Sequence, residues 1–270
     1  MPNFVSNILA GLISNIIIFF VGLNWFKIKT IFCRYRIRLA DLFGKKALES
    51  GKITVVLDVY NDIRLLPGEQ QRILGADCIS SGSGNRFTKI FPDGHLTAFP
   101  GAYGKLLGYC STRAVGYILY TFSPYFRKNI VIRADEEASA NWEGTFICLG
   151  SSVSNIKTND IKLNQDNKLV LEDYNGSITL KNGKKFAVDD RNDKGYILKL
   201  KNPFFKDYSL FICSGLGEWG TSGAAFYLTK HWLKINQAFG DDNFVIIVSV
   251  NPGADESAKQ IYTLCDSDLK

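Results

Sequence analysis

The hydrophobic positions form one long uncharged stretch, followed by short apolar runs separated by polar segments. No charged residue occurs from Asn3 to Phe26, and this stretch consists mostly of Ile, Leu, Phe, Val and Gly. A helix crosses a hydrocarbon core of roughly 30 Å with about 20 apolar residues. The pattern therefore predicts a single transmembrane helix over residues 1–26.

After this stretch, short β-branched runs alternate with segments of helical spacing. Such runs are typical of strands that are buried on both faces of a parallel sheet. An Asn-Gly pair after Lys168–Tyr174 predicts an antiparallel hairpin. We therefore predict an α/β protein, with a Rossmann-like, doubly wound, mostly parallel sheet over residues 51–270 and a hairpin insertion. The predicted strands of the main sheet are Ile53–Val59, Asn129–Asp135, Thr145–Gly150, Gly195–Asn202, Asp207–Gly215 and, as the last, Asn243–Val250; the main helices are Tyr103–Phe122 and Thr221–Asn236.

The distribution of charge predicts the orientation of the anchor. The net charge is +6, and five basic residues precede the first acidic residue, Asp41: Lys27, Lys29, Arg34, Arg36 and Arg38. Basic residues beside a transmembrane helix mark its cytoplasmic side. We expect a single-pass protein of the inner (cell) membrane, with a basic juxtamembrane linker at 27–50 and a cytoplasmic domain. No nucleic-acid partner is expected, because such a partner requires basic residues spread over the domain.

Cysteine and histidine usage gives no sign of a metal or cofactor. The chain has six cysteines without a CxxC pair, and only two histidines, His95 and His231. Cys148 and Cys213 lie in apolar runs, where a thiol behaves as a small hydrophobic group. We predict free thiols in a reducing compartment, no metal site and no cofactor.

Two predicted strand-to-helix loops carry the candidate ligand-binding residues. In a doubly wound sheet, ligands bind beyond the carboxyl ends of the strands. Glycines there permit a close approach of the backbone, and hydroxyls beside helix N-termini can bind an anion. The candidates are Gly150, Ser151, Ser152 and Asn155 in the first loop, and Gly215, Gly217, Glu218, Trp219, Gly220, Thr221 and Ser222 in the second.

A structural interpretation of these loops stays open, because turns and helix caps also favour glycine and hydroxyl residues. Neither loop is a GxGxxG fingerprint near the first strand, and neither is a P-loop. Asp58 and Asp135 end predicted strands, where a carboxylate either caps a helix or turn, or binds a ribose hydroxyl or a metal ion. Glu218 is either an exposed loop charge, or a general base or ribose ligand.

Three segments together resemble a bacterial domain with the pattern GGPxxN, DYGxIxxxxNPF and GxxxxGTxxA, which stands beside helix-turn-helix or other signalling modules. The corresponding segments are LGSSVSN at Leu149–Asn155, DKGYILKLKNPF at Asp193–Phe204, and FICSGLGEWGTSGAAFYL at Phe211–Leu228. The chain departs from that pattern with GSSV in place of GGP and with Lys194 in place of tyrosine. The layout of the chain, one helix followed by one cytosolic domain suited to a small ligand, also resembles that of membrane effectors of bacterial antiphage signalling.

Two functions follow as hypotheses. The first is a membrane-anchored sensor, whose domain binds a nucleotide-like small molecule and signals to the anchor through homo-oligomerisation. Asn7, Gly11, Ser14 and Asn15 share one predicted helix face, which either promotes self-association of the anchor or consists of polar residues that the helix simply tolerates. The alternative is a membrane-tethered enzyme, a glycosidase or transferase that acts on a nucleoside or nucleotide.

Overall fold

The computed structural model describes residues 35–60, 106–126, 129–163, 169–174, 176–189 and 191–269. The predicted anchor at 1–26, the start of the predicted linker and the glycine-rich Ser80–Phe87 stretch lie outside these residues. Within the described ranges, no helix has both the length and the apolar character needed to span a membrane.

The secondary structure follows the predicted alternation of strands and helices. Residues 35–43 are helical and are called α1 here. The other helices are α2 (Lys45–Ser50), α3 (Tyr109–Phe122), α4 (Asp135–Ser139), α5 (Ile156–Leu163) and α6 (Glu218–Phe239). The strands are β1 (Lys52–Leu57), β2 (Val59–Tyr60), β3 (Leu106–Leu107), β4 (Asn129–Ala134), β5 (Phe146–Leu149), β6 (Val170–Tyr174), β7 (Ser177–Leu180), β8 (Lys185–Ala187), β9 (Asp193–Lys201), β10 (Ser209–Gly215), β11 (Phe244–Asn251) and β12 (Ala254–Cys265). A 3₁₀ helix, Asp266–Leu269, follows β12.

The central sheet has seven strands in the order β12-β11-β9-β10-β5-β1-β4. Strands β10, β5, β1 and β4 are adjacent and parallel to one another, and β11 runs in the same direction. Strands β9 and β12 run in the opposite direction. Strands β6, β7 and β8 form a separate antiparallel sheet. The predicted α/β class, with a mostly parallel central sheet and an antiparallel insertion, is confirmed.

Two hydrophobic clusters cover opposite faces of the central sheet. Alternate strand residues face opposite sides, as Val55 and Val56 show: Val55 packs with α1, α2, α3 and α6, and Val56 packs with α4, α5 and the small sheet. Both residues are fully buried. Burial on both faces explains why the inner strands of this sheet, such as β5, β10 and β11, have nearly continuous apolar sequences.

Strand β12 is a part of the sheet that the sequence pattern did not predict. The prediction that Asn243–Val250 is the last strand is wrong, because Ala254–Cys265 pairs with β11 at the sheet edge. Register shifts between β11 and β12 interrupt the regular alternation, and the edge position leaves many β12 side chains exposed. Both features weaken the hydrophobic period from which a strand is predicted.

Residues 35–50, the described part of the predicted linker, contribute to the hydrophobic core. Leu39, Leu42 and Phe43 in α1 have no exposed surface, and Phe43 packs its ring against Phe122 and Phe126. These contacts hold α1 on the face of the sheet that also carries α3 and α6.

A buried lysine on β9 joins α1 to the end of α6. Lys199 is fully buried, and its Nζ donates to the carbonyl oxygens of Asp41, at 3.0 Å, and Gly240, at 2.8 Å. Gly240 is the C-cap residue of α6, so the ammonium lies at the negative end of the helix dipole. Burial lowers the pKa of Lys199 from 10.5 to about 8.

Lys199→Met is expected to change how stability depends on pH. As pH rises, folded Lys199 releases its proton near pH 8 and unfolded Lys199 near pH 10.5. In that window the unfolded state binds more protons, so the contribution of Lys199 makes the free energy of unfolding rise with pH. Removing the amine should flatten this rise by up to roughly 3 kcal/mol.

The measurement is urea denaturation of the full chain in detergent between pH 7 and pH 10.5. Lys201→Met, on the same strand but exposed, is the matched control and should keep the wild-type profile. Parallel profiles of wild type and Lys199→Met through the window contradict the assignment.

Candidate ligand site at the carboxyl edge of the sheet

The two predicted ligand loops lie side by side. Strands β5 and β10 are parallel neighbours, with Leu149 opposite Cys213 at their carboxyl ends. The Gly150 N–H continues this pairing, since it donates to the Cys213 carbonyl at 3.0 Å. The first predicted loop, residues 150–155, and the second, residues 215–223, therefore begin at adjacent points where the parallel strands end, which we call the carboxyl edge. In the second, only residues 215–217 precede the helix, because Glu218 and the residues after it already form the first turns of α6.

Gly150 occupies a position that only glycine fits without strain. Its φ is +109°, and a Cβ there would lie 2.9 Å from the Ser154 hydroxyl oxygen and 3.2 Å from Asp58 Oδ2. Asp58 follows β1 at the same edge and accepts a 2.6 Å hydrogen bond from the Ser111 hydroxyl of α3. The Gly150 turn thus brings backbone close to a nearly buried carboxylate.

The N-terminus of α5 is capped by the protein's own side chains. Asn155 Oδ1 accepts the Thr158 N–H at 3.0 Å, and its Nδ2 donates to the Leu149 carbonyl at 2.9 Å. Asp135 Oδ2 accepts the Ile156 N–H at 2.7 Å. Asn155 and Asp135 are both fully buried, so these two predicted candidates act as helix caps.

Ser152 connects the first loop to the small sheet. Its hydroxyl donates to Asp173 Oδ1 at 2.7 Å, and the same carboxylate accepts from Tyr196 Oη at 2.6 Å and pairs with Lys162. Burial opposes ionisation of Asp173, but Lys162 and the hydroxyl donors hold its pKa below the usual value. In the first loop, Ser151 and Ser154 are half-buried, with their hydroxyl oxygens 3.4 Å apart.

The N-terminus of α6 binds Asp193, the first residue of β9. The two Asp193 carboxylate oxygens accept the backbone N–H groups of four residues at 2.7–2.9 Å: Lys194, Gly217, Trp219 and Gly220. Burial raises the pKa of Asp193, and these N–H donors oppose the rise. The backbone anion site expected in this loop therefore exists, but an internal carboxylate fills it.

Three glycines let β9, β10 and α6 approach closely at this point. A Cβ on Gly195 would lie 2.2 Å from the Gly220 carbonyl oxygen, and one on Gly215 would lie 2.4 Å from Gly220 Cα. A Cβ on Gly220 would lie 2.5 Å from the Lys194 carbonyl oxygen. A methyl group at any of these positions would force the backbone to move, so these glycines are needed for the close packing of β9, β10 and α6.

A cluster of charged and aromatic side chains lies beside the second loop. Arg113 on α3 pairs with the fully buried Asp255 of β12, with Nε and Nη2 at 2.8 and 2.7 Å from Oδ2. Its guanidinium carbon lies 5.5 Å from the Tyr109 ring centroid and 5.2 Å from that of Trp219. Sequence analysis missed Arg113 and Asp255, because only tertiary contacts bring them to the edge.

Other second-loop candidates differ in accessibility. Ser222 is fully buried and donates to Asp255 at 2.6 Å, and Thr221 is nearly buried. Gly217 is exposed, Gly215 and Trp219 are half-buried, and Glu218 begins α6. Fewer residues are therefore accessible to a ligand than the sequence predicted. Among the described residues, no group of three His, Cys, Asp or Glu side chains is placed to hold a metal ion.

The first and third segments of the sequence resemblance meet here with Asp193, the start of the second segment, whereas the NPF residues lie at the opposite end of β9. Polar residues of the first two segments have structural partners. Asn155 caps α5 and Asp193 caps α6, as described above. Asn202 of the NPF segment accepts the Phe204 and Phe205 N–H groups and donates to the Trp142 carbonyl. The chain matches no protein-family model, and a search of curated proteins gives no match either.

Gly215→Ala is expected to destabilise the fold severely. The added methyl would meet backbone atoms of Gly220 and Thr221 at 2.4–2.5 Å, and backbone cannot move aside as a side chain can. We expect a loss of at least about 2 kcal/mol of unfolding free energy. Thermal unfolding of the full chain, followed by circular dichroism, measures it.

Gly116→Ala is the matched control, because a Cβ at this exposed position within α3 meets nothing within 4 Å. It should be neutral or stabilise the protein by up to about 1 kcal/mol, since alanine favours helix. Equal melting temperatures for the two variants would contradict the close backbone contact.

Proposed function

We propose that this chain is a membrane-anchored sensor or effector, whose Rossmann-like cytoplasmic domain binds a nucleotide-like small molecule at the carboxyl edge. The observation that carries the proposal is the juxtaposition of the loops after β5 and β10, two parallel neighbours. In doubly wound sheets, this edge is where ligands bind. The half-buried Ser151 and Trp219 supply a hydroxyl and an aromatic face, which suit a sugar and a base.

The contacts of α1 and α6 support transmission of a signal toward the N-terminal segment. Helix α6 begins at the second loop, and its C-cap carbonyl shares the Lys199 ammonium with α1. Tyr35 of α1 also lies against Trp232 of α6, with ring centroids 6.0 Å apart. A ligand that shifts α6 therefore shifts α1, the helix nearest in sequence to the proposed anchor. Homo-oligomerisation of the anchor, and a role in bacterial antiphage defence, belong to the same proposal.

The proposed ligand is tested by calorimetry of the full chain in detergent, against a panel of cyclic nucleotides and NAD derivatives. Ser151→Asp adds a negative charge at the half-buried first loop, and should weaken binding of an anionic nucleotide at least about tenfold, because like charges repel strongly near a low-dielectric surface. Ser151→Asn, similar in size but neutral, should change affinity less than about threefold. A folded wild-type chain that binds no member of the panel overturns the proposal.

The same samples separate the sensor from the enzyme alternative. A sensor returns the nucleotide intact, whereas a membrane-tethered glycosidase or transferase consumes it. The enzyme alternative has one specific support, the 2.6 Å Ser111–Asp58 hydrogen bond at the carboxyl edge, where Asp58 could serve as a base. Chromatography of the sample after calorimetry should show no free base released from the nucleotide. Turnover that is lost in the Asp58→Asn variant, while that variant still binds the nucleotide, would favour the enzyme.

The proposed anchor has a separate test. The full chain should stay in the membrane fraction after carbonate extraction, because a spanning helix of about 20 apolar residues is held by lipid rather than by charge. Protease added outside intact cells should leave the domain uncut, since the basic flank places it in the cytoplasm. Release by carbonate, or digestion of the domain from outside, contradicts the anchor or its orientation.

A further inference from the structure

The closed helix N-termini restrict how a nucleotide could be recognised at the carboxyl edge. Asp193 accepts the N–H groups of Gly217, Trp219 and Gly220 at the start of α6. Asp135 and Asn155 occupy the first turn of α5. Two of the usual backbone sites for a phosphate are therefore filled from within the chain. Recognition of a ligand phosphate then falls to a side-chain cation.

Arg113 is held in a fixed orientation beside the second loop. Its Nε and Nη2 contact Asp255 Oδ2, its Nη2 donates to Tyr117 Oη at 3.2 Å, and its Nη1 donates to Tyr109 Oη at 3.1 Å. Within the described part of the chain, Tyr109 is the one partner of Nη1, so its second N–H remains for a ligand. The side chain is 28% exposed, so part of it is accessible to a ligand.

The partners of Arg113 reduce the side-chain entropy that the arginine would lose on binding a ligand. Asp255 is fully buried and also accepts the Ser222 hydroxyl at 2.6 Å, so the ion pair ties α3 to β12 and α6. A guanidinium that is ordered before binding loses little side-chain entropy when a ligand arrives. Its planar N–H groups suit a phosphate better than the point charge of lysine does.

Two aromatic rings flank the same guanidinium. Tyr109 and Trp219 lie with ring centroids 6.1 Å apart in an edge-to-face arrangement. Trp219 is half-buried and follows the exposed Gly217 by two residues, so part of its surface stays accessible. An indole beside an arginine provides a stacking surface for a base within a few ångströms of a phosphate-binding group.

We infer that Arg113 binds a phosphate of the nucleotide and that Trp219 stacks its base, so the ligand is a phosphorylated nucleoside rather than a nucleoside or sugar phosphate alone. This inference rests on the proposed function, since it concerns the same edge. It assigns the anion-binding role to α3, an element outside the two loops that the sequence indicated.

The experiment compares the nucleotides of the calorimetric panel with their parent nucleosides and with ribose 5-phosphate, on the full chain in detergent. Arg113→Lys keeps a positive charge beside Asp255 but loses the planar set of N–H groups, so it should weaken nucleotide binding at least about tenfold more than it weakens nucleoside binding. Trp219→Leu should weaken nucleotides and nucleosides by the same factor, about fivefold or more. Arg133→Lys, an exposed arginine on β4, is the matched control and should bind as wild type does.

The readout is the nucleotide-to-nucleoside affinity ratio, which a merely structural role of Arg113 would not move. A general loss of fold in Arg113→Lys would weaken both ligands equally, and that outcome overturns the inference. An unchanged ratio, with binding by the wild type intact, overturns it as well but leaves the proposed function standing. Failure of the folded wild type to bind any nucleotide removes both proposals.

Discussion

Strand β9 holds helix α6 at both ends, and the geometry of the carboxyl edge depends on this attachment. Asp193 accepts three N–H groups from the start of α6, and Lys199 donates to the Gly240 carbonyl at its C-cap. A helix carries partial positive charge at its N-terminus and partial negative charge at its C-terminus. The anion and the cation on β9 match these charges, and they fix both ends of a 22-residue helix against the sheet.

The two-residue period of a strand explains how one short segment can hold both ends of α6. Residues two apart on a strand face the same side, so Asp193, Gly195, Ile197 and Lys199 all face α6. Gly195 permits the close approach of Gly220, and Ile197 is buried in the cluster that α6 shares. The intervening Tyr196 and Leu198 pack on the opposite face. The segment DKGYILK therefore encodes a docking surface for the helix as well as a buried strand.

The docking of α6 on β9 limits where a phosphate can bind. An open helix N-terminus attracts phosphate, but here Asp193 has the position that a phosphate would take. The glycines of the second loop are then explained by contact between backbones, without any ligand. What remains for a small molecule is the rim of the edge, where Ser151, Trp219 and Arg113 retain exposed surface. For that reason we place the proposed ligand on this rim.

The sequence alone determined the α/β class, most strand positions, and the place of each candidate loop directly after a buried strand. Runs such as Phe146–Leu149 are apolar because both faces are covered, and this pattern is local. Strand β12 was missed because an edge strand with register shifts has a weak hydrophobic period. Only the tertiary structure decided that Asp193 fills the α6 anion site and that Arg113 meets Asp255, 142 positions away in the chain. Such pairings depend on which strands become neighbours and on the direction in which each runs, and no local pattern of residues encodes either.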